Sequence, residues 1–187
     1  MKHQFFLLSV LLVVLAESVA STPVTADVFS DTKALLPPVQ KWSGKSESLV
    51  VSANDPWITP AERTGLSITP GYDETMAWLR KLVAAAPELK MVSIGRSLQG
   101  RDFWMVIASA DQAFTAEALN ATDKPLLLAH SGIHAGEIDG KDAGLMLLRD
   151  MTVAGKRKEL LAKTNFLFIP IENGLQHHSL FHPEITS

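Results

Sequence analysis

His134 and Glu137 carry the clearest chemical signal in the chain. They are an imidazole and a carboxylate three positions apart in Gly132-Ile133-His134-Ala135-Gly136-Glu137. Both side chains are donors suited to zinc. A His-x-x-Glu spacing lets the two converge on one ion when the backbone between them turns. Ala135 and Gly136 are small enough to allow that turn and to leave room above a metal. A carboxylate near a helix N-terminus is also favoured in its ionised, ligating form. Taken alone, the spacing arises by chance in many chains, and a surface imidazole beside a first-turn carboxylate is the simpler account.

The elements around the pair decide how it is read. Tyr72-Asp73-Glu74-Thr75 opens a helix whose apolar positions Met76, Leu79, Leu82 and Val83 share one face, and Pro87 follows its end. Lys90 to Ile94 and Phe103 to Ala108 read as strands. The glycine-bearing turn Gly95-Arg96-Ser97-Leu98-Gln99-Gly100-Arg101 joins them in an antiparallel hairpin. Asp111 to Asn120 is short helical or irregular chain. Leu126 to Ala129 is a third strand, apolar on both faces and therefore expected at the centre of a sheet. Gly140 to Met151 repeats Leu145, Leu148 and Met151 at helical spacing, with Asp139 as its expected N-cap and a shorter helix expected over Lys156 to Lys163. Asn165 to Ile171 is a fourth, nearly all-apolar strand. The fold class is α/β, a mixed sheet with flanking helices. His134 and Glu137 then follow the third strand at its carboxyl end, where open α/β sheets place their ligands.

The turn 94–101, the apolar strand after it, the Gly132–Glu137 stretch and Phe168-Ile169-Pro170-Ile171 stand in an order and at separations that resemble the M14 zinc carboxypeptidase family. The resemblance covers about Pro70 to Ile171, the front part of a family domain. It implies a zinc-carboxypeptidase-like fold, one Zn2+ ion, a peptide substrate, and His134 and Glu137 as the first two zinc ligands. It makes Asp139-Gly140-Lys141-Asp142-Ala143-Gly144 the helix start that follows them. Arg96 and Arg101 become structural turn residues. In the family a third ligand (a His), a general-base Glu and substrate-binding Arg residues come well downstream of the fourth strand, and no motif here matches them. Where the family continues with Asn-x-Asp-Gly, this chain reads Glu172-Asn173-Gly174-Leu175-Gln176. His177, His178, His182 and Glu184 offer suitable atoms, but nothing in the matched motif assigns them a role. The ligand set is therefore incomplete and the catalytic residues are unassigned, as in a truncated or frame-altered version of a longer gene.

Composition bounds the remaining readings. Met1 to Ala20 has the pattern of a secretory signal peptide. Lys2 precedes an apolar core over Phe5 to Ala16, and Ser18-Val19-Ala20 offers a cleavage site. That core is too short to span a bilayer comfortably, so export to the periplasm or beyond is expected, with no integral membrane segment after cleavage. Removing Lys2 and Glu17 with the leader leaves the net charge at −3, which disfavours nucleic acid as a partner. With no cysteine, disulfides and thiolate metal sites are excluded.

Residues 21–67 read as an extended N-terminal arm, broken by Pro37-Pro38 and Asp55-Pro56, in which Leu49-Val50-Val51 could dock as an edge strand. Residues 68–187 form the partial peptidase-like domain. Trp78 and Trp104 read as core, Trp42 and Trp57 as docking residues of the arm, and His130 as hydrogen-bonded in the sheet. The leading expectation is a metallocarboxypeptidase that releases C-terminal residues from peptides. Two rivals stand beside it: a non-catalytic secreted fragment with weak peptide or metal binding, and an N-acyl amino acid amidohydrolase of the related deacylase branch. The final strand is expected to present an unpaired edge prone to aggregation.

Overall fold

A computed structural model describes residues 44–97, 100–134 and 136–172. The expected signal peptide, Trp42 and the histidine-bearing tail lie outside these residues.

After a single 3-10 turn over Lys45–Leu49, the first helix is α1, Pro60–Arg63. Thr59 caps it by a reciprocal capping box: its hydroxyl accepts from the Glu62 amide, and the Glu62 carboxylate accepts from the Thr59 amide at 2.8 Å. Pro60 at the first helical position adds a preset φ. Thr59-Pro60-Ala61-Glu62 is thus a helix-start signal inside a segment whose composition reads as extended arm. Leu49–Val51 forms no strand. Leu49 ends the 3-10 turn, and the Val51 amide donates to Glu62 Oε1, so a side chain occupies the group a strand neighbour would need.

The long helix α2 spans Tyr72–Ala85 and buries Met76, Trp78, Leu79 and Leu82 on one face, as its periodicity requires. Strands β1 (Leu89–Arg96) and β2 (Asp102–Ala108) form the antiparallel hairpin. The remaining elements are α3 (Ala116–Ala121), β3 (Leu126–His130), α4 (Asp139–Met151), α5 (Lys158–Lys163) and β4 (Asn165–Ile169).

The sheet order is β1-β2-β4-β3, with β2 and β4 antiparallel and β3 and β4 parallel. Parallel neighbours need a crossover, and α4 with α5 supplies it. One face is covered by α2, α4 and α5. There Leu79, Leu82, Leu145 and Leu148 pack on Val106 and Phe168. On the other face Ile107 meets only Ala113 and Leu119, from α3 and the chain before it, within the buried cluster. At Gly144 α4 lies so close to β4 that an added Cβ would stand 2.1 Å from the Phe168 ring, so only glycine allows this packing distance.

Two expectations about the sheet are corrected. β3 is the outer strand of the described sheet, not its centre, and β4 lies between β2 and β3 rather than at an edge. Leu126, Leu127 and Leu128 are 50, 54 and 54% exposed. An apolar run reports side-chain chemistry and not position in a hydrogen-bond ladder. Here the crossover returns β4 into the space beside β2 and leaves β3 outside. Among the described residues no helix is long and apolar enough to cross a membrane.

Candidate metal centre

β3 and β4 end side by side, and the ladder continues one step past them. The Ser131 amide donates to Ile169 O, and the Glu172 amide donates to Ser131 O. The β3–α4 connection then turns through Gly132 (φ 64°) and Gly136 (φ 90°), both in the left-handed region where a side chain is strained. This turn brings His134 and Glu137 together. His134 Nδ1 and Glu137 Oε1 are 2.9 Å apart, and the Glu137 amide donates to His134 O at 3.2 Å. The His134 amide also lies 3.4 Å from Glu137 Oε2.

Both side chains face solvent, at 73% and 59% exposure. The hydrogen bond from His134 holds the Glu137 carboxyl below its ordinary 4.5 against an opposing desolvation, with the His134 amide and imidazole charge adding to the effect. A carboxylate can only accept, so the imidazole donates from Nδ1 in this arrangement.

The pair suits a metal in donor chemistry and nearly in spacing. Two atoms each bound to a tetrahedral zinc at its usual bond lengths lie about 3.3 Å apart. Nδ1 and Oε1 therefore need to part by only a few tenths of an ångström, with Nδ1 giving up its proton. Among the described residues no group of three or more His, Cys, Asp or Glu side chains is placed to hold a metal.

Glu137 precedes α4, whose N-cap position is Ile138 without a side-chain cap. Asp139 is the first helical residue rather than the cap its residue type suggests. The difference follows from the turn: the Asp142 amide already donates to Ile138 O, which starts the helix one residue early.

His130 is hydrogen-bonded, as its place on a strand implied, through Nδ1 to Glu172 Oε2 at 2.5 Å. Sequence alone offers it no partner, because Glu172 lies 42 residues away and meets it only through the parallel pairing of β3 with β4. The two residues line an open groove of about 460 Å³ together with Ile94, Phe103, Leu128 and Ile169.

Arg96 and Arg101 are structural in placement. Arg96 Nε donates to Asp102 Oδ1 at 3.0 Å across the hairpin, and that bond, with one from Ser93, holds the Asp102 carboxyl below its usual value. Arg101 lies over the Tyr72 ring at 5.6 Å, and Tyr72 donates its hydroxyl to Asp102 O at 2.7 Å. Trp78 is core and donates its indole N–H to Ile58 O. Trp104 packs against the core beneath Arg80. Trp57 docks under Lys81, as expected of the arm.

Residues 75–174 match the family model Peptidase_M14, zinc carboxypeptidase. No sequence among curated proteins matches the chain. Solved structures similar to it include carboxypeptidase A from Helicoverpa armigera at 19% identity and TM-score 0.48, covering 57% of this chain and 25% of that one. A metallo-carboxypeptidase from Burkholderia cenocepacia is 17% identical with TM-score 0.48, covering 58% and 28%. Bovine thrombin-activatable fibrinolysis inhibitor is 17% identical with TM-score 0.46, covering 57% and 32%. The chain thus spans about a quarter to a third of the length of these structures.

Proposed function

Because the chain belongs to the zinc carboxypeptidase family, we propose that His134 and Glu137 are two ligands of a zinc ion in a site for hydrolysing C-terminal residues from peptides. The observation that carries this reading is the convergence of His134 Nδ1 and Glu137 Oε1, 2.9 Å apart at the carboxyl end of β3. Bound there, zinc supplies Lewis acidity toward a carbonyl and activates water.

The chain's own residues set the donors. Gly132 and Gly136 give the turn its hand, the amides of His134 and Glu137 fix the two residues against each other, and the hydrogen bond from His134 favours the ionised form of Glu137. Their high exposure leaves the outer side open to a peptide. Export by the N-terminal leader puts such a site among extracytoplasmic peptides.

A second reading rests on the count of donors. A catalytic zinc takes three protein ligands, and two converge among the described residues. Two donors alone hold zinc weakly, and the chain is then a metal- or peptide-binding fragment without turnover.

Zinc titration of the purified chain, followed by hydrolysis assays on N-blocked dipeptides, separates the two. Zinc uptake and hydrolysis both lost in His134→Ala and in Glu137→Ala support the peptidase. Weak uptake lost in both variants, with no hydrolysis, supports the fragment. Stoichiometric zinc retained by both variants sinks the ligand assignment itself.

A further inference from the structure

Lys141 stands in the first turn of α4, four residues after Glu137, with its side chain wholly withdrawn from solvent. Its ammonium donates to the carbonyl of Pro70 at 2.7 Å. It also lies 2.9 Å from Asp142 Oδ1, an ion pair without a directed hydrogen bond.

Burying an ammonium is costly, and a methionine of similar length fills such a space without that cost. Burial does push Lys141 below the ordinary lysine value, against the opposing pull of Asp142 and Glu74. A charged group kept in such a place supplies something an apolar one cannot, a directed bond. The need for one is visible locally, because α4 begins without a side-chain cap and uncapped first turns fray. On its other side the same turn abuts the exit of β3, where an added Cβ at Gly140 would lie 3.2 Å from Ser131 Cβ. The start of α4 is therefore held between Ser131 and Pro70.

Pro70 is buried at the end of a tethered segment. The segment 49–70 is tied to the helices at further points: Trp78 Nε1 donates to Ile58 O at 3.0 Å, Lys81 Nζ to Pro56 O at 2.5 Å, and Arg149 to Leu49 O at 3.3 Å. We propose that Lys141 is a positioning residue for the metal pair, anchoring the first turn of α4 to the strap 49–70 through Pro70 and so setting Glu137 against His134. This rests on the zinc reading for its consequence, though not for its geometry.

The test compares Lys141→Met with Arg149→Met, which loosens the same strap two turns further along α4. Amide hydrogen exchange is read in the metal-free full chain, then Co2+ affinity by competition with a chromophoric chelator. In Lys141→Met the amides of Glu137 and Asp142 exchange about tenfold faster while those of Leu148 and Val106 keep their rates. Co2+ affinity falls about 10- to 100-fold, as for other supporting groups around a metal. Arg149→Met speeds all four amides together and leaves the affinity of the folded protein unchanged.

Unchanged exchange at Glu137 and Asp142 in Lys141→Met overturns the proposal, as does a uniform rise like that of Arg149→Met. If the Met variant does not fold, the same amides are read in Lys141→Gln: a localised rise supports the anchor, and unchanged or uniform exchange overturns it. A wild-type chain that takes up no Co2+ while the localised exchange pattern holds defeats the zinc reading and leaves the anchor on Glu137 standing.

Discussion

Arg149 on α4 and Glu62 on α1 meet at 2.6 Å with both side chains fully enclosed, 87 residues apart in sequence. The guanidinium also donates to Asp150 Oδ1 at 2.9 Å and to Leu49 O at 3.3 Å. Burial disfavours its charge, but Glu62 and Asp150 outweigh that and hold Arg149 above its usual value. The Glu62 carboxylate meanwhile accepts from the amides of Val51 and Thr59. One buried pair thus closes the segment before α2 onto the crossover helix.

Breaking that pair from one side strands a charge. Removing a single partner of a buried ion pair costs about 3–5 kcal/mol, whereas replacing both by apolar groups is far milder. Arg149→Met or Glu62→Leu alone is expected to lower unfolding free energy by that amount in urea titrations. Arg149→Met with Glu62→Leu recovers much of it. A double variant as unstable as the sum of the singles shows that Glu62 matters through its cap on α1 and not through Arg149.

A second prediction concerns how tightly α4 sits on the sheet. The methyl of Gly144→Ala would overlap the Phe168 ring, which cannot easily turn aside because it stacks on Phe166 at a centroid separation of 5.9 Å. Overpacking of this kind costs about 1–3 kcal/mol. Thermal melts are expected to show Gly144→Ala destabilised and Gly144→Ala with Phe168→Leu partly restored. No rescue by the smaller partner means that helix propensity or another contact controls the effect.

The exposed edge gives a third. β3 has no charged residue between Leu126 and His130, and Leu126, Leu127 and Leu128 are all about half exposed. Strand edges of this composition invite pairing with another chain, and a lysine blocks it. The wild-type chain is expected to self-associate with rising concentration in sedimentation velocity, and Leu127→Lys to sediment as a monomer. Equal association of the two proteins moves the contact away from β3.

What the sequence disclosed and what it withheld divide along physical lines. The face of α2, the hairpin and the His134–Glu137 turn rest on short-range patterns: helical spacing, a glycine-bearing turn, two donors three residues apart. The order of β3 and β4 depends on where a crossover lands, which no local pattern encodes, so β3 is expected inside and lies outside. No local pattern marks Lys141 and Arg149 for burial, yet both are enclosed because backbone carbonyls and carboxylates distant in sequence receive them. Glu172 is only a departure from a motif until strand pairing sets it beside His130.

The last prediction returns to Glu137 and fixes its sign with pH. Its carboxyl titrates below the ordinary 4.5 in the folded chain, chiefly because His134 donates to it. A carboxyl depressed on folding contributes stability that is fully present above its unfolded value and is lost as pH falls through the folded one. The turn over His134–Glu137 should therefore hold at neutral pH and loosen only below 4.5. A carbon-detected NMR titration of the Glu137 carboxyl reads this directly: a midpoint below 4.5 in the wild type, moving back toward 4.5 in His134→Ala. A midpoint indifferent to His134→Ala assigns the depression to the backbone and the end of α4. Zinc sharpens the contrast, because it competes with the proton on His134 Nδ1 as well as the one on Glu137. Zinc added in excess should push the Glu137 titration to still lower pH in the wild type and leave it unmoved in His134→Ala. A zinc shift of equal size in both proteins means that the ion is held by Glu137 without His134.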